Sequence, residues 1–223
     1  MIAAILARNE ADRFLRECLE SLLPVCDQIL LLDDNSTDGT RELAESFGCV
    51  VRTRTGSPMW GQESSARQEL WTWGAEVAGD GWLLIADADQ ELVVSRETIQ
   101  AMESSWEATA WGIPLYDCWD GTDSFRSDGH WGAFRFKRPW MFRPAVCKDP
   151  IWGTRGLHVG HAPANFPYVV GQAPEGVYWK HYGWMRKADR DCKLERYLAH
   201  KDQLHPNELA HLLSVNDDPL TYP

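Results

Sequence analysis

The chain has 223 residues, 44% of them hydrophobic and 25% charged, enough for a globular domain with an ample core. Its formal net charge of −11 gives no global field to draw nucleic acid or an anionic membrane surface. No apolar stretch nears the roughly 20 residues of a membrane span, and the apolar start, residues 1–7, is too short for a signal peptide, so a cytoplasmic protein is expected.

The first half alternates between strand and helix patterns. Residues 2–7 read as a strand, followed by a helix from Glu10 to Leu23 with Phe14, Leu15, Cys18, Leu19 and Leu22 on one stripe. Ile29 to Leu32 form a buried strand ending at Asp33-Asp34, and the turn Asn35-Ser36-Thr37-Asp38-Gly39 opens a helix over 38–47. Cys49 to Val51 are a third strand, Gln62 to Ala78 a third helix, and 82–86 a fourth strand. This alternation predicts an α/β fold with a doubly wound, mostly parallel sheet and ligands beyond the carboxyl ends of its strands. Ser95 caps a helix reaching Trp106. The pattern then becomes irregular: a strand over 110–115, a Gly- and Asp-rich loop over 120–131, short strands at 134–136 and 141–143, and an irregular stretch over 144–175. A basic amphipathic helix over 187–204 and a short helix after Pro206 close the chain.

Asp87-Ala88-Asp89 follows the fourth strand directly. Two carboxylates two residues apart at a strand end can hold a hard divalent cation and leave positions open for a diphosphate. Core packing does not call for them, because a buried unpaired carboxylate is costly. Segments 7–10, 33–36, 53–54 and 87–89 all fall at carboxyl ends of predicted strands and converge on one crevice.

Ile5-Leu6-Ala7-Arg8-Asn9-Glu10, Leu31 to Thr40 and Leu84-Ile85-Ala86-Asp87-Ala88-Asp89, in this order and spacing, resemble glycosyltransferase family 2 on the GT-A fold. The resemblance covers residues 2–105 and implies a Rossmann-like sheet flanked by helices in one domain. Residues 1–105 would form the nucleotide-sugar half, 106–184 the acceptor half and 185–223 a C-terminal helical segment. It implies a hexosyltransferase using a nucleotide-sugar donor, UDP-linked for preference, Mn²⁺ or Mg²⁺, and a hydroxyl acceptor. By the same resemblance Ala7, Arg8 and Glu10 sit at the base and ribose with Asp33 or Asp34, and Arg67, after Ala66, lies near the diphosphate. Asp87 faces the ribose or sugar beside Ala88 and also counts among the metal residues, Asp89 holds the metal, and His181 completes the metal shell. Arg186 and Lys187 lie in a basic segment that closes on the diphosphate.

The acceptor half is less specific. Trp119, Trp131, Trp152 and Trp179 offer stacking faces beside Asp117, Asp120, Arg126 and His158, which suits a sugar, a nucleobase or a small glycoside. His158 and His161 line the cleft or bond to neighbours. A nucleic-acid acceptor would need a local basic patch, at Arg135 to Arg138 or around Arg186, Lys187 and Arg190. An inverting transferase needs a carboxylate base. Among Asp117, Asp120, Asp149 and Glu175, the resemblance to inverting members of the family favours Asp149 and Glu175; inversion and retention both stay open. Asp34, Ser36, Asp38 and Glu45 also fit a relaxed calcium loop, opposed by the strand before it and by Arg41 at an apolar position. A nucleotidyltransferase and a non-catalytic carbohydrate-binding protein are the rival functions. The six cysteines show no CxxC or zinc spacing, and the 12 tryptophans suit either core or stacking roles.

Overall fold

The computed structural model describes residues 1–56, 58–59, 62–154 and 159–222. The first half builds β1 (Ile2–Ala7), α1 (Leu15–Leu22), β2 (Gln28–Asp33), α2 (Thr40–Ser46), β3 (Val50–Thr53), α3 (Glu63–Ala78), β4 (Leu83–Asp87), β5 (Gln90–Val93) and α4 (Arg96–Glu103). The second half adds β6 (Ala110–Ile113), β7 (Leu115–Asp117), β8 (Phe125–Arg126), β9 (Arg138–Phe142), β10 (Val170–Gln172) and β11 (Tyr178–His181). α5 (Lys187–Leu198), α6 (Pro206–Leu213) and β12 (Thr221–Tyr222) complete the chain.

A seven-stranded sheet runs in the order β10-β6-β9-β4-β1-β2-β3. Only β9 opposes the common direction. The strands predicted at 2–7, 29–32 and 82–86 lie side by side in it, with Leu6 opposite both Leu32 and Asp87. Strand order reverses between β1 and β4, which puts the crevice of a doubly wound sheet beside Asp87.

Both faces of the sheet are covered, which is why β1, β2 and β4 are near-continuous apolar runs. Ala3, Ile5, Leu31, Leu84 and Ala86 point into one core layer with Leu15, Leu19 and Leu22 of α1 and Ile99 of α4. Ala4, Leu6, Leu30, Leu83 and Ile85 point into the other, against Leu70, Trp71 and Trp73 of α3. A second sheet, β5-β11-β7, stands at the carboxyl end of β4, pairing His181 with Gln90 on one side and Asp117 on the other.

Several expected elements differ. The helix capped by Ser95, whose hydroxyl accepts from the Thr98 amide at 3.2 Å, ends at Glu103. The strand expected over 110–115 divides into β6 and β7 around Pro114, which cannot donate to a ladder. The strand expected at 134–136 is a 3₁₀ turn, Ala133–Arg135, that reverses the chain into β9. The helix over 187–204 ends at Leu198.

α3 approaches the sheet closely at Gly74, where an added Cβ would lie 2.7 Å from Leu83 Cδ1 and 3.5 Å from Ala4 Cβ. Gly74→Ala should therefore lower unfolding free energy by about 1–3 kcal/mol through overpacking, measured by urea denaturation. An unchanged or raised midpoint would show that α3 stands off the sheet.

Candidate functional site

The loop after β1 and the loop after β2 are stitched together. The Asn9 amide donates to Ser36 Oγ at 2.9 Å, the Thr37 amide to Asn9 Oδ1 at 2.8 Å and the Glu10 amide to Thr40 Oγ1 at 2.8 Å. Asn9 and Asn35 take the left-handed conformation, with φ of 54° and 58°, a region that asparagine tolerates better than most residues. Arg8 donates to the Asp34 carbonyl and lies 3.6 Å from its carboxylate. The Asp34 carboxylate, fully buried, also takes Arg54 and the Met59 amide at 2.8 Å. Asp33, buried, accepts from the Ser36 amide at 3.1 Å, and Ala7 lies buried at the end of β1. Arg8, Asp33 and Asp34 thus gather at one wall of the crevice. The acids of the rival calcium loop have separate partners, since Asp38 accepts from the Thr40 and Ala11 amides.

Asp87 and Asp89 turn to different partners. Asp87 Oδ1 accepts from Arg67 Nη2 at 2.8 Å, and its Oδ2 lies 3.5 Å from His161 Nε2 and 3.3 Å from Gln90 Nε2. Burial works against this charge, but the Arg67 guanidinium, with the His161 ring beside it, outweighs that cost and holds the carboxyl well below the usual range. His161, half-buried, has its imidazole pushed down by desolvation and packs on Trp140 with ring centroids 4.2 Å apart. Arg67, on the first turns of α3, also pairs with Glu63 at 3.3 Å, while its Nη1 is buried with no hydrogen-bond partner among the described residues.

Asp89 Oδ2 lies 3.5 Å from His181 Nε2 and 3.3 Å from Lys193 Nζ, and His181 Nδ1 is 2.7 Å from Asp117 Oδ1. Against the cost of burial, Lys193 and His181 hold the Asp89 carboxyl well below its ordinary value. Burial disfavours a charged His181, yet Asp89 and the Asp117 bond override it and raise the imidazole to about 9. Gly183 makes room for the group: an added Cβ there would run into Asp89 Oδ2, Lys193 Nζ and His181 Nε2 together. Ala88, between the acids, is buried. Among the described residues no three His, Cys, Asp or Glu side chains converge in a metal-holding cluster.

Glu10 lies nearby, its Oε1 3.0 Å from Arg13 Nη1. Burial raises its carboxyl to about 8, eased by Arg13 and reinforced by Asp89. Helix α5 spans this region: Asp189 lies 3.4 Å from Arg13, and Lys193 reaches Asp89 one turn later. Arg186 stacks on Phe14, its Cζ 4.3 Å from the ring, whereas Lys187 is exposed and pairs with Asp191 at 2.7 Å.

The remaining candidates lie elsewhere. Asp149, exposed, is tied through its carbonyl to Asn165 Nδ2 at 3.1 Å, and Glu175 is exposed in the turn between β10 and β11. Asp120 pairs with Arg190 at 2.7 Å. Trp119, Trp131 and Trp179 are core residues at 3%, 0% and 0% exposure, so they offer no stacking face, and Trp152 is half-buried against Trp71. Arg126, expected at the cleft, is buried between Trp119 and Trp131. His158 lies outside the described residues. The sequence reading missed Lys193 and Gly183. The one signal for Lys193 was its place four residues after Asp189 on one face of α5.

The sequence matches the model of Glycosyl transferase family 2 over residues 3–161. It is 29% identical over 214 residues to an uncharacterized protein of Mycobacterium tuberculosis, covering 88% of this chain and 50% of that protein. The chain thus spans about half the length of that relative. An uncharacterized glycosyltransferase of Rickettsia bellii is 33% identical over 90 residues, 40% of this chain and 28% of that protein. The structure of S. aureus TarS 1-349 in complex with UDP superposes with a TM-score of 0.57 at 17% identity, over 96% of this chain and 70% of that one. The likeness shows a shared fold, the GT-A arrangement expected above.

The His181 shift has a definite sign. Its folded value lies above the ordinary 6.5, so its stabilising effect is fully present below pH 6.5 and is lost as pH rises through about 9. In chelator-treated protein, the stability gap between wild type and His181→Asn should be largest just below pH 6.5 and shrink toward pH 9. Urea denaturation at a series of pH values measures it, and a gap that widens with pH would contradict the assigned pairing.

Proposed function

Because the chain belongs to glycosyl transferase family 2, we propose that it transfers a sugar from a UDP-linked donor to a hydroxyl acceptor with the help of a divalent metal. The observation that carries this reading is the division of labour at the end of β4, where Asp87 is held by Arg67 and His161 and Asp89 faces His181. Partners of different chemistry suit the two acids to different roles: a guanidinium fixes Asp87, and an imidazole that can also ligate a metal faces Asp89.

The donor set suits a divalent ion. The Asp117 bond occupies His181 Nδ1 and leaves Nε2 facing Asp89, the carboxylate–imidazole arrangement in which an outer acid orients a metal-binding histidine. Asp89 and His181 would hold Mn²⁺ or Mg²⁺, with water and diphosphate oxygens in the other positions. The bound ion would supply Lewis-acid stabilisation of the leaving diphosphate. Arg67, whose buried Nη1 has no partner among the described residues, is placed to take a phosphate oxygen. Arg8, Asp33 and Asp34 then form the wall for base and ribose, Asp87 fixes Arg67 and faces the sugar, and Arg186 borders the diphosphate side. UDP is assigned as the donor nucleotide because TarS, which shares the fold, has been captured with UDP and with UDP-GlcNAc.

The acceptor belongs to the second half of the chain. Of the two base candidates, sheet direction favours Glu175: β10 runs parallel with β4, so the turn after it lies at the same pole as Asp87. Asp149 follows β9, which runs the other way. Burial of three tryptophans removes the main support for a carbohydrate-binding protein. The Arg8-Asn9-Glu10 loop has no glycine-rich phosphate cradle, which argues against a nucleotidyltransferase.

Calorimetry should show UDP binding in Mn²⁺ that weakens at least about tenfold when the metal is chelated, or about 1.4 kcal/mol. Asp89→Ala should remove the metal-dependent part, and Arg67→Met should weaken UDP with or without metal. Glycan binding without any nucleotide binding would replace this reading with the carbohydrate-binding one. For the base, an acceptor identified by mass spectrometry of UDP-glucose reactions with a sugar and glycoside library allows a second measurement. Glu175→Gln should lower kcat by about 10² or more and leave UDP affinity unchanged; full activity would return the role to Asp149 or to a mechanism without a protein base.

A further inference from the structure

We propose that Lys193 is a built-in cation that competes with the metal for Asp89, so that it sets the metal affinity of the free protein. The inference rests on the assignment of Asp89 and His181 to a divalent ion. Lys193 is only 12% exposed, its Nζ lies 3.3 Å from Asp89 Oδ2, and it packs over the Trp184 ring at 4.6 Å. The ammonium, the carboxylate oxygen and His181 Nε2 all border the small space that Gly183 leaves by having no side chain. A cation is therefore already drawn to the oxygen that the metal would use.

The helix that delivers Lys193 has its own anchors. Arg190 donates to the Trp184 carbonyl at 2.9 Å, to the Met185 carbonyl at 2.8 Å and to Asp120 at 2.7 Å, and Asp189 pairs with Arg13. The ammonium is thus presented by a helix docked independently of it. In a partly buried space a divalent ion and an ammonium repel each other at one carboxylate oxygen. Entry of the metal has to break the Lys193–Asp89 pair. The four-carbon stem lets the displaced ammonium swing away, and a donor diphosphate gives it a new partner. Metal and nucleotide should consequently bind each other's complex better than the free protein, and reciprocally so.

The test is Mn²⁺ binding without nucleotide, followed by the electron paramagnetic resonance signal of free Mn²⁺, for wild type, Lys193→Met, Lys193→Arg and Asp89→Asn. Lys193→Met should hold Mn²⁺ at least about tenfold more tightly than wild type, a factor of about 1.4 kcal/mol. Lys193→Arg should stay near wild type, and Asp89→Asn should lose the site. A damaged fold would weaken binding, so a gain cannot come from structural injury. If Lys193→Met binds Mn²⁺ no better than wild type while Asp89→Asn binds none, the Lys193 inference falls and the metal assignment stands. If Asp89→Asn binds as wild type does, the metal assignment falls and the inference with it.

Discussion

Two carboxylates set two residues apart in a half-buried turn keep their charge at little cost only when each is given its own cation. Asp87 and Asp89 meet that demand from opposite directions. Arg67 arrives from α3, in the first half of the chain, and His181 arrives from β11, in the second. The short sheet β5-β11-β7 makes the second delivery possible, because β5 begins directly after Asp89 and pairs Gln90 with His181. Gln90 also bonds to Asp87 through both its amide nitrogen and its oxygen, locking the turn that separates the acids. The second half is thereby committed to fold back over the end of β4.

The tryptophans help to hold that return in place. The Arg126 guanidinium lies 4.4 Å from the Trp119 ring and 4.8 Å from that of Trp131, and it donates to the Ser214 carbonyl at 3.0 Å. Arg190 stacks on Trp119 at 4.2 Å. Trp184 and Leu212 close the same cluster, so flat aromatic faces glue α5 and α6 to the loop before β8. In a protein of net charge −11, these buried arginines are engaged inside the fold by aromatic rings, carbonyls and the carboxylates of Asp128 and Asp120.

How much was legible in the sequence follows from how local each signal is. β1, β2 and β4 could be read because a strand covered on both faces must be almost wholly apolar, and α1 because its stripe repeats at helical spacing. The acids of β4 and the residues of the β1 and β2 loops could be placed because strand direction alone brings them to one crevice. β5 and β11 were not foreseen: four residues each, mixing Gln, Glu, Lys and His with apolar residues, they are strands because β11 pairs with β5 across some ninety positions and with β7 on its other side. The tryptophans were misjudged for a related reason, since composition does not say which side of an irregular segment faces inward. Lys193 escaped notice because a lysine on a polar helix ordinarily faces solvent, and only the docking of α5 turns this one toward Asp89.

The two walls of the crevice are fastened by different kinds of bond. On the Asn9 and Asn35 side the fasteners are short backbone-to-side-chain hydrogen bonds and the fully buried Asp34–Arg54 pair, which mobile ions in solution barely screen. On the α5 side, Arg13–Asp189 is a partly exposed charge pair. Ionic strength therefore acts unevenly: it leaves the stitched wall preformed, so little ordering entropy is lost when a ligand settles there, and on the other side it weakens the Arg13–Asp189 link while the carbonyl bonds of Arg190 stay.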